Sequence, residues 1–222
     1  MNITNPVTSL LKYVTITLLI TVIGLLIGST LPYSIIAFID VIFFALIILS
    51  FILVLLSKRP KNGSKRRRGF PMALTYGYAL FLGITLTPTL DYYIGAIGSG
   101  IVLAVFIGTL GIVGILSLLS YTKGSDSILK IGPILFVSTI ILLILTICMM
   151  FFSSFRIFDV AITIFSIIVF SGWVIYDVYR FKKDAVYITS TRELAPYVLD
   201  IYIDIINLFL DILRLVANFK DK

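Results

Sequence analysis

The chain has 222 residues, of which 59% are hydrophobic and 13% charged, and it carries a net charge of +7. Its mean hydropathy of +1.12 and low charged fraction depart from a soluble domain, which is about half apolar and about a quarter charged, so the composition predicts one membrane domain. The single cysteine and the absence of histidine exclude an intrachain disulfide, a cysteine metal cluster, histidine-based catalytic triads and the usual histidine pH switch.

Seven apolar segments follow one another along the chain, each near or above the ~20 residues that cross a bilayer. We predict spans at 13–31, 34–56, 70–90, 93–120, 131–152, 158–179 and 195–218. The expected fold class is therefore all-α, as an integral membrane protein with seven transmembrane helices in a single domain, 1–222. In the first span, the four-residue spacing of Gly24 and Gly28 indicates either close helix contact or plain lipid-facing flexibility.

Lysine and arginine are concentrated in the loops that follow the second, fourth and sixth spans, whereas the opposite loops contain only Arg156. Positive residues collect in cytoplasmic loops, so this asymmetry predicts a cytoplasmic amino terminus. Membrane topology also explains the net positive charge better than nucleic-acid binding does, because the dense basic run from Lys58 to Arg68 lacks interleaved aromatic side chains that could stack on bases. Lys220 and Lys222 would then lie outside, which suggests that the last helix is buried, tilted or re-entrant.

The last apolar segment carries a polar stripe. Its members recur at steps of three and four residues, which return to one face of a helix: Asp200, Asp204, Asn207, Asp211, Arg214 and Asn218. A bare carboxylate in hydrocarbon costs at least ~2.5 kcal/mol. The stripe is therefore expected to face other helices, water or an ion.

Asp177 of the sixth span lies at a depth from which it could meet either Asp200 or Asp204 across the interface of the last two spans. Alternatively, it could pair with Arg180 or Lys182 at the membrane surface. Two carboxylates ~4 Å apart repel each other by ~4 kcal/mol at an effective dielectric constant of ~20, so such a couple would share one proton or hold a hard cation. Calcium takes about six to eight oxygens, which Asp177, Asp204 and Asp200 could supply with Asn207, backbone carbonyls and water.

Three motifs make the chain resemble the Bax inhibitor-1 family, most closely its bacterial, YetJ-like calcium-leak members. They are GITLTP at Gly83–Pro88, FSGWVIYD at Phe170–Asp177 and LDIYIDIINLFLDILRL at Leu199–Leu215. The order of the segments and the lengths of the loops also resemble those of the family along nearly the whole chain. The resemblance implies a bundle around a central seventh helix and a pH-sensitive calcium leak, in which Asp177 and Asp204 form the pH-sensing pair.

The resemblance also implies supporting residues and a setting. Asp200 and Asp40 match further acidic positions of the family, whereas Asp211 stands where a neutral polar residue is expected. A family arginine latches the sixth-span aspartate, and here the candidates are Lys58, Arg59, Lys65 and Arg66. We expect no tightly bound cofactor, calcium as the permeant or bound ion, and the lipid bilayer, protons and other membrane proteins as partners. The expected location is a bacterial cytoplasmic membrane.

Three other functions are compatible with the sequence. An intramembrane aspartyl protease would use a similar pair of aspartates, but the Gly-x-Gly-Asp motif of such enzymes is replaced here by Tyr202-Ile203-Asp204, so we expect no enzyme. A membrane interaction protein that modulates a membrane protease or a cell-death or stress pathway would use the aspartates to stabilise the fold. A proton-coupled exchanger would depend on an imposed proton gradient.

Overall fold

A computed structural model of the chain describes residues 3, 5–39, 41, 69–151 and 156–220. Within these residues the fold is entirely helical, with no β-strand, which confirms the all-α prediction. The helices are α1 (Pro6–Gly28), α2 (Met72–Ile97), α3 (Ser99–Lys123), α4 (Gly132–Phe151), α5 (Arg156–Asp184) and α6 (Thr191–Lys220). Short 3-10 helices lie at Asp126–Ile131 and Ala185–Tyr187, and residues 33–39 are also helical.

Five of the described segments are long and apolar enough to cross a membrane: Pro6–Gly28, Met72–Ile97, Ser99–Lys123, Asp126–Cys148 and Ile157–Tyr187. The last helix, α6, is not among them, because its polar stripe adds charged side chains to an otherwise apolar helix. Most of the predicted second span lies outside the described residues. An integral multi-pass membrane protein is thus supported, and the count of seven spans stays a prediction.

The helix break between the predicted third and fourth spans lies at Gly98. Helix α2 continues through Pro88 as far as Ile97, beyond the predicted end at residue 90. A proline removes one backbone donor and does not by itself end a long helix whose other groups stay bonded. The helix ends instead at Gly98, whose φ of +92° is a conformation that other residues rarely adopt.

Helices α1 and α2 cross at glycines. An added Cβ at Gly24 would overlap the carbonyl oxygen of Leu80, and one at Gly83 would overlap the carbonyl oxygen of Thr21. Gly28 likewise lies against Thr87. Of the two readings of the Gly24–Gly28 spacing, close helix contact is therefore confirmed, and α1 with α2 forms a tightly packed pair.

Helix α6 packs against α1, α2, α3 and α5. Near its start, the backbone N–H of Ile3 donates to the carbonyl of Thr189 at 3.1 Å, and we call this the amino-terminal end of the bundle. Near its finish, the ammonium of Lys220 donates to the carbonyl of Ile97 at 2.8 Å, at the opposite end. With 30 residues, α6 is one continuous helix about 45 Å long. Of the expectations for the last helix, burial is supported, because many of its side chains are buried.

Candidate functional site

One face of α6 is held against α5 by hydrogen bonds. Tyr197 donates its hydroxyl to Asp184 Oδ2 at 2.5 Å, near the amino-terminal end. Ser166 donates its hydroxyl to Asp211 Oδ2, also at 2.5 Å, nearer the opposite end. These contacts pair an early residue of α6 with a late residue of α5 and the reverse, so the two helices are antiparallel neighbours.

This register puts Asp177 and Asp204 at the same level. Asp177 lies seven residues before Asp184 on α5, and Asp204 lies seven residues after Tyr197 on α6. Seven residues make almost two helical turns, so both aspartates lie about 10.5 Å beyond that hydrogen bond and on the faces that contain it. Both are buried, with exposures of 6% for Asp177 and 4% for Asp204. The structure therefore brings these two predicted site residues together at the interface of α5 and α6.

The carboxylate of Asp204 is incompletely satisfied. Its Oδ2 is buried and has no hydrogen-bond partner among the described residues. Asp177 on α5 and Asp200, one turn earlier on α6, are close enough to repel its negative charge. A buried carboxylate with an open acceptor and negative neighbours attracts a proton or a cation.

The expected metal site is less well formed. No group of three or more aspartate, glutamate, cysteine or histidine side chains that could hold a metal ion is found in the described part of the chain. Asn207 is half-buried one turn beyond Asp204, where its amide oxygen would extend the same face. Calcium binding by Asp177, Asp200 and Asp204 stays a prediction that requires backbone or water oxygens in addition.

Of the two cations considered as surface partners of Asp177, Lys182 is directed elsewhere. The ammonium of Lys182 lies over the rings of Tyr121 and Tyr179, 5.4 and 5.7 Å from their centroids. Lys183 pairs with Asp126 at 2.5 Å. These lysines are directed towards α3 and the 3-10 helix that follows it, whereas Asp177 is buried on the side of α5 that meets α6.

At the opposite end, charges on α5 and α6 neutralise one another. Arg214 forms an ion pair with Asp159, and the amide of Asn218 donates to the same carboxylate at 2.7 Å. On its own helix, Arg214 lies one turn from Asp211. Its ion pair is made with Asp159 instead, and Asp211 accepts its hydrogen bond from Ser166.

Two residues of this network, Asp159 and Ser166, were not predicted as part of the site. They lie seven residues apart on α5 and therefore on one face, which is a polar pattern in an otherwise apolar span. Of the other predicted site residues, Asp40, Lys58, Arg59, Lys65 and Arg66 lie outside the described residues.

An apolar cavity of about 210 Å³ lies on the other side of α6, between α1, α2 and α3. Leu18, Leu86, Phe106 and Ile206 line it, with Thr21 at its edge. Hard cations such as calcium take about six to eight oxygen ligands, whereas Thr21 and Ser99 are the only hydroxyl side chains among the residues that line this cavity. The candidate site is therefore the carboxylate couple between α5 and α6, and not this cavity.

Comparison with known proteins finds a family match over almost all of the chain. A family described as "Inhibitor of apoptosis-promoting Bax1" matches residues 5–221. The chain is 37% identical over 152 residues to a "BI1-like protein" of Arabidopsis thaliana, covering 63% of this chain and 55% of that protein. It is 27% identical over 168 residues to a "Probable Bax inhibitor 1" of Paralichthys olivaceus, covering 75% of this chain and 68% of that one. An uncharacterized protein of Helicobacter pylori is 26% identical over 159 residues, 72% of this chain and 66% of its own length.

The matches support the family without defining the activity. The chain spans about two thirds or less of the Helicobacter and Arabidopsis relatives, so the properties of those whole proteins do not transfer directly. The family match, in contrast, extends along almost all of the chain and includes the three motifs and both aspartates of the couple. The chain therefore belongs to the Bax inhibitor-1 family.

Proposed function

We propose that this protein is a pH-sensitive calcium leak, gated by protonation of the Asp177–Asp204 couple. The observation that carries the proposal is the buried Oδ2 of Asp204, which has no hydrogen-bond partner among the described residues and is repelled by Asp177 and Asp200. Such an oxygen is stabilised by a proton in one state and by a cation in the other.

The two charge states have different consequences. When the couple holds one proton, a hydrogen bond between the two carboxyls ties α5 to α6 and lowers the local negative charge. When that proton is lost, the remaining charges repel each other and attract a hard cation. Asp200 and Asn207 then offer further oxygens to calcium as it passes, and Arg59 or a basic neighbour acts as the latch to Asp177.

The proposal includes a seven-span bundle around α6, with the amino-terminal end of the bundle in the cytoplasm of a bacterium. The bias of lysine and arginine towards the loops at that end supports this orientation. The contacts of α6 with α1, α2, α3 and α5 support its central position. On this arrangement the couple lies closer to the cytoplasmic surface than to the outer one.

The test is calcium flux into liposomes that contain only the purified protein and a trapped indicator, measured across a series of pH values. The parent should conduct with a clear dependence on pH, and Asp177→Asn should abolish that dependence. Asp211→Asn is the matched control, because it neutralises an aspartate on the same face of α6 that already has a hydrogen-bond donor. A pH profile that Asp177→Asn leaves unchanged would contradict the proposal.

The names of the family and its relatives favour a second function. "Inhibitor of apoptosis-promoting Bax1" and "Probable Bax inhibitor 1" describe action on another protein. In that case this chain would be a membrane interaction protein that modulates a membrane protease or a cell-death or stress pathway, and ion flux would be incidental. Absence of flux from well-folded, reconstituted protein would favour this alternative. A requirement for an imposed proton gradient would indicate an exchanger instead.

A further inference from the structure

The face of α6 that points away from α5 is anchored by a buried tyrosine. Tyr202 is fully buried, and its hydroxyl lies 2.7 Å from the hydroxyl of Thr21 on α1. The hydroxyl of Thr21 also donates to the carbonyl of Thr17 at 3.1 Å, so Tyr202 is the donor between the two hydroxyls. The ring of Tyr202 packs edge-on against Tyr78 of α2, with centroids 6.3 Å apart. The tyrosine is thus bound to both helices of the α1–α2 pair.

The support behind this anchor is rigid. The backbone of Thr21 lies directly against Gly83, at the crossing where α1 and α2 are too close for a side chain. A shift of Thr21 would therefore require the two helices to move together or to separate. The hydrogen bond from Tyr202 to Thr21 consequently connects α6 to the packed α1–α2 pair as a whole.

Tyr202 and Asp204 lie on opposite sides of α6. Residues two positions apart on a helix are separated by about 200° around its axis. While Tyr202 is held by α1 and α2, Asp204 is turned towards α5 and Asp177. The apolar cavity beside Thr21 and Ile206 leaves space into which this part of α6 could move if the anchor were lost.

We propose that Tyr202 is a positioning residue: its hydrogen bond to Thr21 fixes the rotation of α6 about its axis and so keeps Asp204 facing Asp177. The inference rests on the proposed function, because it assigns a role in orienting the couple that controls the leak. It concerns the orientation of a helix and does not require Tyr202 to touch the ion.

Cross-linking tests the orientation without measuring flux. In a parent carrying Cys148→Ser, Ser166→Cys and Asp211→Cys, a short bifunctional thiol reagent should join α5 to α6, because the native side chains at 166 and 211 are in hydrogen-bond contact. Tyr202→Phe or Thr21→Val should slow the cross-linking rate several-fold. The double variant should be no slower than either single variant, since both remove the same bond.

Matched variants separate this effect from a general loss of packing. Tyr179→Phe removes a hydroxyl of α5 that donates to Asp126, and Thr17→Val removes one that bonds within α1, so both should cross-link at the parent rate. Thr21→Ser keeps the hydroxyl and should restore the parent rate. Additive effects of the two single changes, or parent rates in both, would overturn the inference. If Tyr202→Phe does not fold, Thr21→Val against Thr21→Ser decides the question alone.

Calcium flux is measured in parallel on chains that retain Ser166 and Asp211. The inference predicts that Tyr202→Phe and Thr21→Val alter flux to the same extent and without additivity, whereas Tyr179→Phe does not. If Tyr202→Phe and Thr21→Val slow cross-linking non-additively but no chain shows calcium flux, the leak proposal is wrong and the anchoring role of Tyr202 stands. If the variants show normal pH-dependent flux and cross-link at the parent rate, the anchoring role of Tyr202 is wrong and the leak proposal stands.

Discussion

The crossing of α1 and α2 makes Gly83→Ala an informative substitution. The added methyl group would overlap the carbonyl oxygen of Thr21 and approach the Cα of Gly24 to 2.9 Å. Both obstacles are backbone atoms, which cannot rotate away as a flexible side chain would. The helices must therefore separate locally, and the separation moves Thr21 away from its contact with Tyr202.

The expected size of this effect follows from a comparison within α2. Gly77 lies on the same helix, and an added Cβ there meets nothing within 4 Å. Replacing glycine by alanine in a helix gains up to ~1 kcal/mol at either position, so this gain cancels between Gly77→Ala and Gly83→Ala. The difference in unfolding free energy between the two variants is therefore the cost of overpacking at Gly83, about 1–3 kcal/mol.

The assay is thermal unfolding of the two variants in the same detergent. For a chain of this size, each kcal/mol shifts the unfolding midpoint by ~2–4 °C, so Gly83→Ala should unfold about 2–12 °C below Gly77→Ala. Calcium flux should also change in Gly83→Ala, because Thr21 anchors Tyr202. Equal midpoints, or a higher one for Gly83→Ala, would refute the argument that backbone contact at this crossing holds the pair together.

Three further predictions concern α6. Asp211→Asn keeps an acceptor for its hydrogen bond and should preserve the pH dependence of calcium flux, whereas Asp204→Asn should remove it, as liposome assays would report. Arg214→Gln should lower the unfolding free energy by about 1–3 kcal/mol, as measured by denaturant titration. The loss is smaller than for a fully buried ion pair because the Arg214 side chain is 35% exposed. Adding Asp159→Asn should recover part of this loss. Glu193→Ala removes a carboxylate that accepts from two backbone N–H groups at the start of α6 and should cost ~1 kcal/mol in the same titrations.

The features that could be predicted from the sequence are those that depend on helical periodicity. Apolar segments long enough to cross a bilayer gave the helices, and the three- and four-residue steps in the last segment gave the polar face of α6. The depth of Asp177 predicted that it would meet either Asp200 or Asp204. These arguments need only the rise and pitch of an α-helix, whereas the choice of Asp204 came from the resemblance to the family.

Other features depend on the register between helices, which periodicity does not determine. The partner of Arg214 is a case in point. On its own helix the nearest carboxylate is Asp211, but the antiparallel packing of α5 brings Asp159 to the guanidinium and Ser166 to Asp211. A shift of one turn between the helices would place other residues of α6 opposite Asp159 and Ser166. The end of α2 depends on the backbone conformation at Gly98, which the apolar pattern does not indicate either.

The hydrogen-bond donors along the α5–α6 interface are unevenly distributed among the described residues. Asp211 accepts from Ser166, and Asp159 is held by Arg214 and Asn218, so both carboxylates at the opposite end have donors within the protein. Asp204 retains a buried acceptor atom with no donor in the described part of the chain, next to two further carboxylates. Because a buried acceptor without a donor is costly, we expect a proton, a cation or a basic side chain outside the described residues to supply the missing positive charge. The paired and hydrogen-bonded carboxylates at the opposite end hold α6 in place, and under the proposed function the couple is the part of the interface that responds to protons and cations.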